Sequence, residues 1–234
     1  MKVDLYGGKD PRSVPVYSVR QAGHHLQVPT TTLKEWLAGH AYATKQGSRR
    51  APPVIVPAQK APIELSFWNL VEAHVLASIR RHHGVPLQKV RKALRFVQGE
   101  LNLQRPLLEQ EFETNGVDLF VRTYGKLINA SADGQVEMRE LLGAALKRID
   151  RDPRGIAERL FPWSRDPREP RVVQIDPRRS FGRPVLMGTT IPTDVLAERF
   201  SAGESIEHLA TDYRVAAPLI EQALQWELGA ATAA

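Results

Sequence analysis

Ten side chains between Arg20 and Arg50 have the chemistry of a nucleic-acid binder rather than of a catalyst. Arg20, His24, His25, Lys45, Arg49 and Arg50 can donate to phosphate oxygens. Thr30, Thr31, Thr32 and Lys34 sit where a recognition helix would carry them to base edges. Residue sets for other chemistry are missing. With no cysteine there is no disulfide, thiolate metal site or thiol nucleophile. The histidines do not fall at metal-ligand spacing. His24-His25 and His82-His83 are adjacent pairs whose rings diverge on a helix, while His40, His74 and His208 are isolated. There is no Ser/His/Asp set with supporting motifs and no Gly-rich phosphate loop. The expectation is a non-enzyme without cofactor or metal.

Two short helices must position the ten. Ser18 can cap the first, since its hydroxyl accepts from the free amides of an opening turn. Val19, Ala22 and Leu26 then repeat at helical spacing. Val28-Pro29 breaks the chain, because proline disfavours helix in the residue before it. Leu33, Trp36 and Leu37 give the second helix its inner face, and Gly39 can end it. Such a pair has the size and break of a DNA-reading helix-turn-helix. Tyr42–Thr44 and Val54–Val56 are then predicted as a hairpin whose tip carries Lys45, Arg49 and Arg50: a wing, or a plain solvated loop.

Charge separates the halves. Residues 1–106 hold 16 Lys+Arg and 6 Asp+Glu, and residues 107–234 hold 16 and 20. A basic N-terminal half suits phosphate, and an acidic C-terminal half suits a protein partner. No apolar run approaches the length that spans a bilayer. The first residues lack the apolar core of a signal peptide, so cytoplasm is expected.

Further along, a long helix is predicted from Phe67 to His83 and another after Pro86, with Lys89, Arg91, Lys92 and Arg95 on its outer faces. Asn115-Gly116 between alternating segments predicts a β-hairpin spanning Glu111–Tyr124. A third strand over Lys126–Ala130 and a helix over Val136–Ile149 would complete a small unit, which could serve dimerisation. Asp150–Arg183 is rich in proline and arginine and reads as an extended connector or a recognition segment. Val172, Val173 and Ile175 can form a short strand within it. A compact three-helix unit follows, with Val195, Leu196 and Phe200 inward in its first helix. The fold class expected is mainly α with small β elements (α+β). Its parts are a winged helix-turn-helix (1–106), a small sheet-plus-helix unit (107–150), a connector (151–179) and a three-helix, helix-turn-helix-like domain (180–234).

Two stretches resemble known families. Tyr17-Ser18-Val19, Ala22, Val28-Pro29, Thr32-Leu33 and Trp36 resemble the opening of MerR-type winged helix-turn-helix proteins. Gly182-Arg183-Pro184, Gly188-Thr189, Ile191-Pro192, Ala202-Gly203-Glu204-Ser205 and Ala223-Leu224 resemble the family called domain of unknown function 433. Thr190 departs from that pattern, where arginine is more usual. Together the two resemble long VapB-type antitoxins of type II toxin–antitoxin systems. The resemblance implies a VapC-type PIN-domain ribonuclease as partner, with a carboxylate cluster that holds a divalent metal. Arg165, Arg168 and Arg171 are the candidates to enter such a cluster. The expectation is an antitoxin and autorepressor that binds operator DNA as a homodimer and silences the toxin. A stand-alone MerR-like regulator, with residues 107–234 sensing a ligand or assembling the protein, remains the alternative.

Overall fold

In the computed structural model, which describes residues 6–39, 41–44, 47–81 and 86–229, a capping box opens the first helix. Ser18 Oγ accepts from the Gln21 amide and the Gln21 side chain accepts from the Ser18 amide, so two otherwise orphaned donors are satisfied. This helix, α1 (Val19–Leu26), ends at Gln27 in the left-handed conformation, φ 54°. Pro29 then precedes α2 (Thr30–Ala38). The crossing is tight because position 23 is glycine. A Cβ there would lie 2.8 Å from the Val28 carbonyl and 3.3 Å from the Thr30 methyl.

The wing hairpin is shorter than expected. Strand β2 (Ala41–Thr44) pairs antiparallel with β3 (Gly47–Arg50). Val54–Val56 is not the second strand: the Val54 and Ile55 amides donate to the Trp36 carbonyl at 2.9 and 3.2 Å. Gly47, at φ 113°, lets the chain reverse early. Pro52-Pro53 then offers no amide hydrogens to a ladder. Behind the helix pair lies a small sheet of Tyr17–Ser18 (β1), Gln59–Lys60 (β4) and Ile63–Leu65 (β5), in the order β1-β5-β4. Helices α3 (Phe67–Arg81) and α4 (Leu87–Glu100) follow as expected. On α4, Lys89, Lys92 and Arg95 are exposed, but Arg91 is buried.

The middle unit is helical, and its expected hairpin is absent. A π-type turn over Phe112–Gly116 runs into α5 (Val117–Ile128), and Asn129 ends it in the left-handed conformation. Val117, Phe120, Val121 and Tyr124 are buried at i, i+3, i+4 and i+7, and that helical stripe overrides the Asn-Gly turn signal. Gly116 is right-handed, φ −83°. Its glycine serves packing, since a Cβ would lie 2.7 Å from the Phe112 ring. The expected strand at Lys126–Ala130 is therefore the end of α5. Ser131 caps α6 (Ala132–Leu146), which starts four residues before the predicted Val136 because Asp133-Gly134 lies in its first turn. His74 on α3 bonds the Ala145 carbonyl on α6 at 3.0 Å. Phe112, Phe120 and Leu142 belong to the same core as Leu33 and Trp36.

The connector is folded. Strands β6 (Ile149–Arg151) and β7 (Ala157–Leu160) pair with each other, and β8 (Val173–Gln174) pairs with β9 (Val185–Leu186). Arg148, 3% exposed, supplies what periodicity cannot. Its guanidinium donates to the carbonyls of Phe161, Pro162, Pro167, Glu169 and Pro170. Prolines cannot donate to one another, so a buried five-donor fork satisfies their carbonyls instead. At the other end, Arg12, 1% exposed, bridges Asp10 and Asp152 at 2.6 and 2.9 Å. Helices α7 (Thr193–Ser201), α8 (Ile206–Tyr213) and α9 (Ala217–Gly229) close the chain around their own core of Leu196, Leu209, Ile220 and Leu224. Phe200, expected inward, is 38% exposed. The architecture is α+β. Among the described residues no helix is long and apolar enough to cross a membrane.

Candidate nucleic-acid interface and the acidic unit docked on it

Burial on α2 decides what it can present. Leu33, Trp36 and Leu37 face the core, which leaves Thr31, Lys34 and Glu35 exposed together at i, i+3 and i+4. Thr30 and Thr32 are half-buried, and the Thr30 methyl turns toward Gly23 on α1. Of the three threonines expected at base edges, Thr31 is therefore the one fully presented. Sequence reasoning passed over Glu35, although an exposed carboxylate beside Lys34 can accept from cytosine N4. Arg20 is exposed on the first turn of α1 and makes no ion pair among the described residues. The wing root is fixed to the helix pair through the Trp36 carbonyl. Arg49 and Arg50 lie on β3 opposite Tyr42 and Ala41. Lys45, His40, His82 and His83 fall outside the described residues.

The two histidines of α1 do not join that face. His24 Nε2 lies 2.7 Å from Glu227 Oε1, and the other Glu227 oxygen accepts from the Thr193 hydroxyl at 2.6 Å. Gln27 donates to the Trp226 carbonyl at 3.1 Å. Tyr17 donates to the Gly182 carbonyl at 2.8 Å. The His25 ring stands edge-on to Tyr17, and its Nδ1 is buried without a partner. Burial, with His24 beside it, pushes the His25 imidazole down to about 4. It is therefore neutral at physiological pH with its Nδ1 buried, which removes it from the phosphate set. His24 is held by a carboxylate in the same seam. Of the two, His24 makes a polar contact from the last turn of α1, and its partner is a carboxylate of the C-terminal unit rather than phosphate. Contacts between positions some 200 residues apart leave no local signal in a sequence.

The connector arginines are displayed differently from one another. Arg168 is held by Asp166 in an exposed pair. Arg171 stacks 4.4 Å over Phe161, lies 3.4 Å from Asp150 and donates to the Lys147 carbonyl. The Arg165 guanidinium is exposed and has no ion-pair partner among the described residues. It lines a cleft of about 710 Å³ between the connector and the C-terminal unit, together with Trp163, Phe200, Glu221 and Leu228. Among the described residues no cluster of three or more His, Asp or Glu could hold a metal ion.

Comparison with known proteins finds matches at both ends of the chain. A model described as "Putative DNA-binding HTH domain" matches residues 15–94. One described as "Protein of unknown function (DUF433)" matches residues 173–226. The chain is 26% identical over 228 residues to "Putative antitoxin VapB45" of Mycobacterium tuberculosis (strain ATCC 25618 / H37Rv), covering 90% of this chain and 93% of that protein. It is 27% identical over 221 residues to "Uncharacterized protein Rv2308" of the same strain, covering 90% and 89%. The X-ray crystal structure of Rv2018 from Mycobacterium tuberculosis shares the fold, with a TM-score of 0.64 at 23% identity over 90% of this chain and 98% of that one. The N-terminal part has a helix-turn-helix fold.

Proposed function

We propose that this chain is a non-enzymatic antitoxin that also represses its own operator. The observation that carries the DNA half is the exposed stripe of Thr31, Lys34 and Glu35 on α2, with Arg20 exposed on the first turn of α1. Thr31 and Lys34 read bases, while Arg20 and the β2–β3 wing hold phosphates. Half-site reading by a helix-turn-helix calls for two copies, so the working form is a homodimer. The MerR-type opening noted in the sequence is consistent with the short wing.

Support for the antitoxin half comes from the end-to-end likeness to a protein named as an antitoxin and from the acidic C-terminal unit. From Pro192 onward the sequence holds seven carboxylates and two arginines. That charge makes its helices poor readers of DNA, because phosphate attraction supplies much of the affinity. The cleft beside Arg165, with Phe200 and Leu228 exposed at its rim, suits an apolar anchor from a partner protein. A VapC-type PIN-domain ribonuclease is the partner proposed, with Arg165 the foremost of the three connector arginines to pair with its carboxylates. Arg168 and Arg171 would first have to give up the contacts they make here.

The test is co-expression with the adjacent open reading frame, followed by affinity purification and a nuclease assay. A small ribonuclease that co-purifies silent, and regains activity when this chain is removed, is the expected result. Release of that activity by Arg165→Ala would place the contact. A chain that emerges alone yet still shifts its promoter would sink the antitoxin half.

A further inference from the structure

One loop of the C-terminal unit is built in a way its own fold does not require. Ser180, Phe181 and Gly182 are three consecutive left-handed residues, at φ 48°, 54° and 74°. Non-glycine residues in that region are disfavoured and persist where the surroundings hold them, commonly at functional sites. The chain pays this cost to display Phe181, 71% exposed, flanked by exposed Arg178, Arg179 and Arg183. A large apolar ring on a strained turn among arginines is left mostly in solvent.

The turn is also anchored, and the anchor is the helix-turn-helix. Tyr17, the residue before the α1 cap, donates to the Gly182 carbonyl in a buried bond of 2.8 Å. Glycine is required at 182 because a Cβ would fall 2.3 Å from the Tyr17 hydroxyl oxygen. Tyr6 adds a bond to the Pro177 carbonyl at 3.3 Å. The loop therefore sits at the opening of α1, against the residue that precedes its cap. Each arginine does have an acidic neighbour. Arg178 lies 3.6 Å from Glu158, Arg179 lies 3.7 Å from Asp176, and Arg183 lies 2.6 Å from Asp194. All three guanidinium groups are about half or more exposed, so such pairs are weak and exchangeable for phosphate.

We infer that the Arg178–Arg183 loop is a second DNA-contacting element, which extends the helix-turn-helix footprint onto flanking duplex. This rests on the DNA-reading role proposed above. With α2 in the major groove, the loop meets the backbone beside the half-site. Arg179 and Arg183 take phosphates, and Phe181 wedges against a base step of the adjacent minor groove. Apolar side chains flanked by basic ones act this way in minor-groove binders. The C-terminal unit thus touches DNA through this loop, while its acidic helices stay clear.

The experiment is fluorescence anisotropy of the full-length protein on its own promoter fragment across a salt series, with 2-aminopurine placed in the flanking sequence. The Arg179→Ala/Arg183→Ala variant is expected to bind about tenfold more weakly, with a log–log salt slope smaller by about 2. Phe181→Ala should keep the wild-type slope and lose the 2-aminopurine signal. Because Phe181 is exposed, unchanged thermal unfolding confirms that its variant is folded. Wild-type affinity, slope and flanking signal in both variants, alongside weakened binding by Lys34→Ala, would overturn the loop and leave the helix reading intact. Loss of toxin inhibition without loss of DNA binding would also overturn it. Failure of the wild-type chain to bind the fragment at all would instead remove the DNA reading itself.

Discussion

Two helix-turn-helix units, one at each end of the chain, are alike in backbone and opposite in surface. Ser18 caps α1 and Ser205 caps α8, each accepting from the amide three residues on. Each first helix has 8 residues and ends in a left-handed residue, Gln27 at φ 54° and Arg214 at φ 55°. A proline lies at the start of each second helix, Pro29 before α2 and Pro218 within the first turn of α9. Outside that shared frame they part. The first unit exposes Arg20, Thr31 and Lys34, and the second exposes Glu207, Asp212 and Glu221. The motif is a way of crossing two helices, and charge on the outer face decides whether phosphate is welcome. The two units meet where His24 of one pairs with Glu227 of the other.

The largest expected effect tests whether the units are energetically separate. Trp36 is 1% exposed under α2, and Trp226 is 5% exposed in α9. Either truncation should cost about 3–5 kcal/mol, that of Trp36 in the N-terminal core and that of Trp226 where its ring stands edge-on to His24, read by urea unfolding. The consequence for DNA should differ. Trp36→Ala unseats the reading helix and abolishes promoter binding, whereas Trp226→Ala leaves the folded N-terminal part able to bind. Equal loss of binding in both variants would break the comparison and make the seam essential to the reading face.

The seam itself should answer to acid. His25 is neutral in the folded chain, pushed down to about 4, while an unfolded chain titrates it near 6.5. Between those values the unfolded state binds the extra proton, so stability falls as pH drops through that window. The loss is at most about 3 kcal/mol at the acid end, since the ring keeps some exposure. Tyr17, His24, Glu227 and Asp194 are the titratable groups facing it. Thermal unfolding from pH 7 to 4 should show a steeper decline for the wild type than for His25→Gln. Parallel curves would mean that the histidine is not what acid attacks.

Smaller still is the effect of one charge on the reading face. Lys34→Ala should weaken promoter binding about tenfold, or about 1.4 kcal/mol. Glu221→Ala on the exposed face of α9 should leave it unchanged. A tighter complex for Glu221→Ala would show that the acidic unit approaches DNA more closely than its charge suggests.

What could be read beforehand follows from which signals are local. Ser18, Pro29, Gly39, Pro86, Pro192 and Ser205 bound their helices where their chemistry predicts, because a cap or a missing amide acts within one turn. Asn115-Gly116 misled because glycine has two uses. It permits a reversal, and it also permits close packing, here against Phe112. The helical stripe from Val117 to Tyr124 was the better evidence. The wing was misplaced by one strand because Val54 and Ile55 spend their amides on a helix carbonyl rather than a ladder. At the site, Thr31 and Lys34 were legible as the polar face opposite Leu33 and Trp36. The fates of His24 and His25 were not, since Glu227 is remote in sequence and nothing local announces it. Arg148 is the extreme case: five carbonyl acceptors from a proline-rich loop have no periodicity to detect.

The finest test compares the two caps, where the units are most alike. Ser18→Ala and Ser205→Ala each remove one side-chain acceptor from an opening turn, worth about 1 kcal/mol. The Ser18 change should cost more. Its loss also frees Gln21, the reciprocal half of the capping box, while the third residue after Ser205 is His208, which cannot close such a box. Amide hydrogen exchange can separate the two, with protection lost across α1 in one variant and α8 in the other. If α1 and α8 open together in either variant, the His24–Glu227 seam couples the units, and the likeness of their backbones would extend to a shared stability.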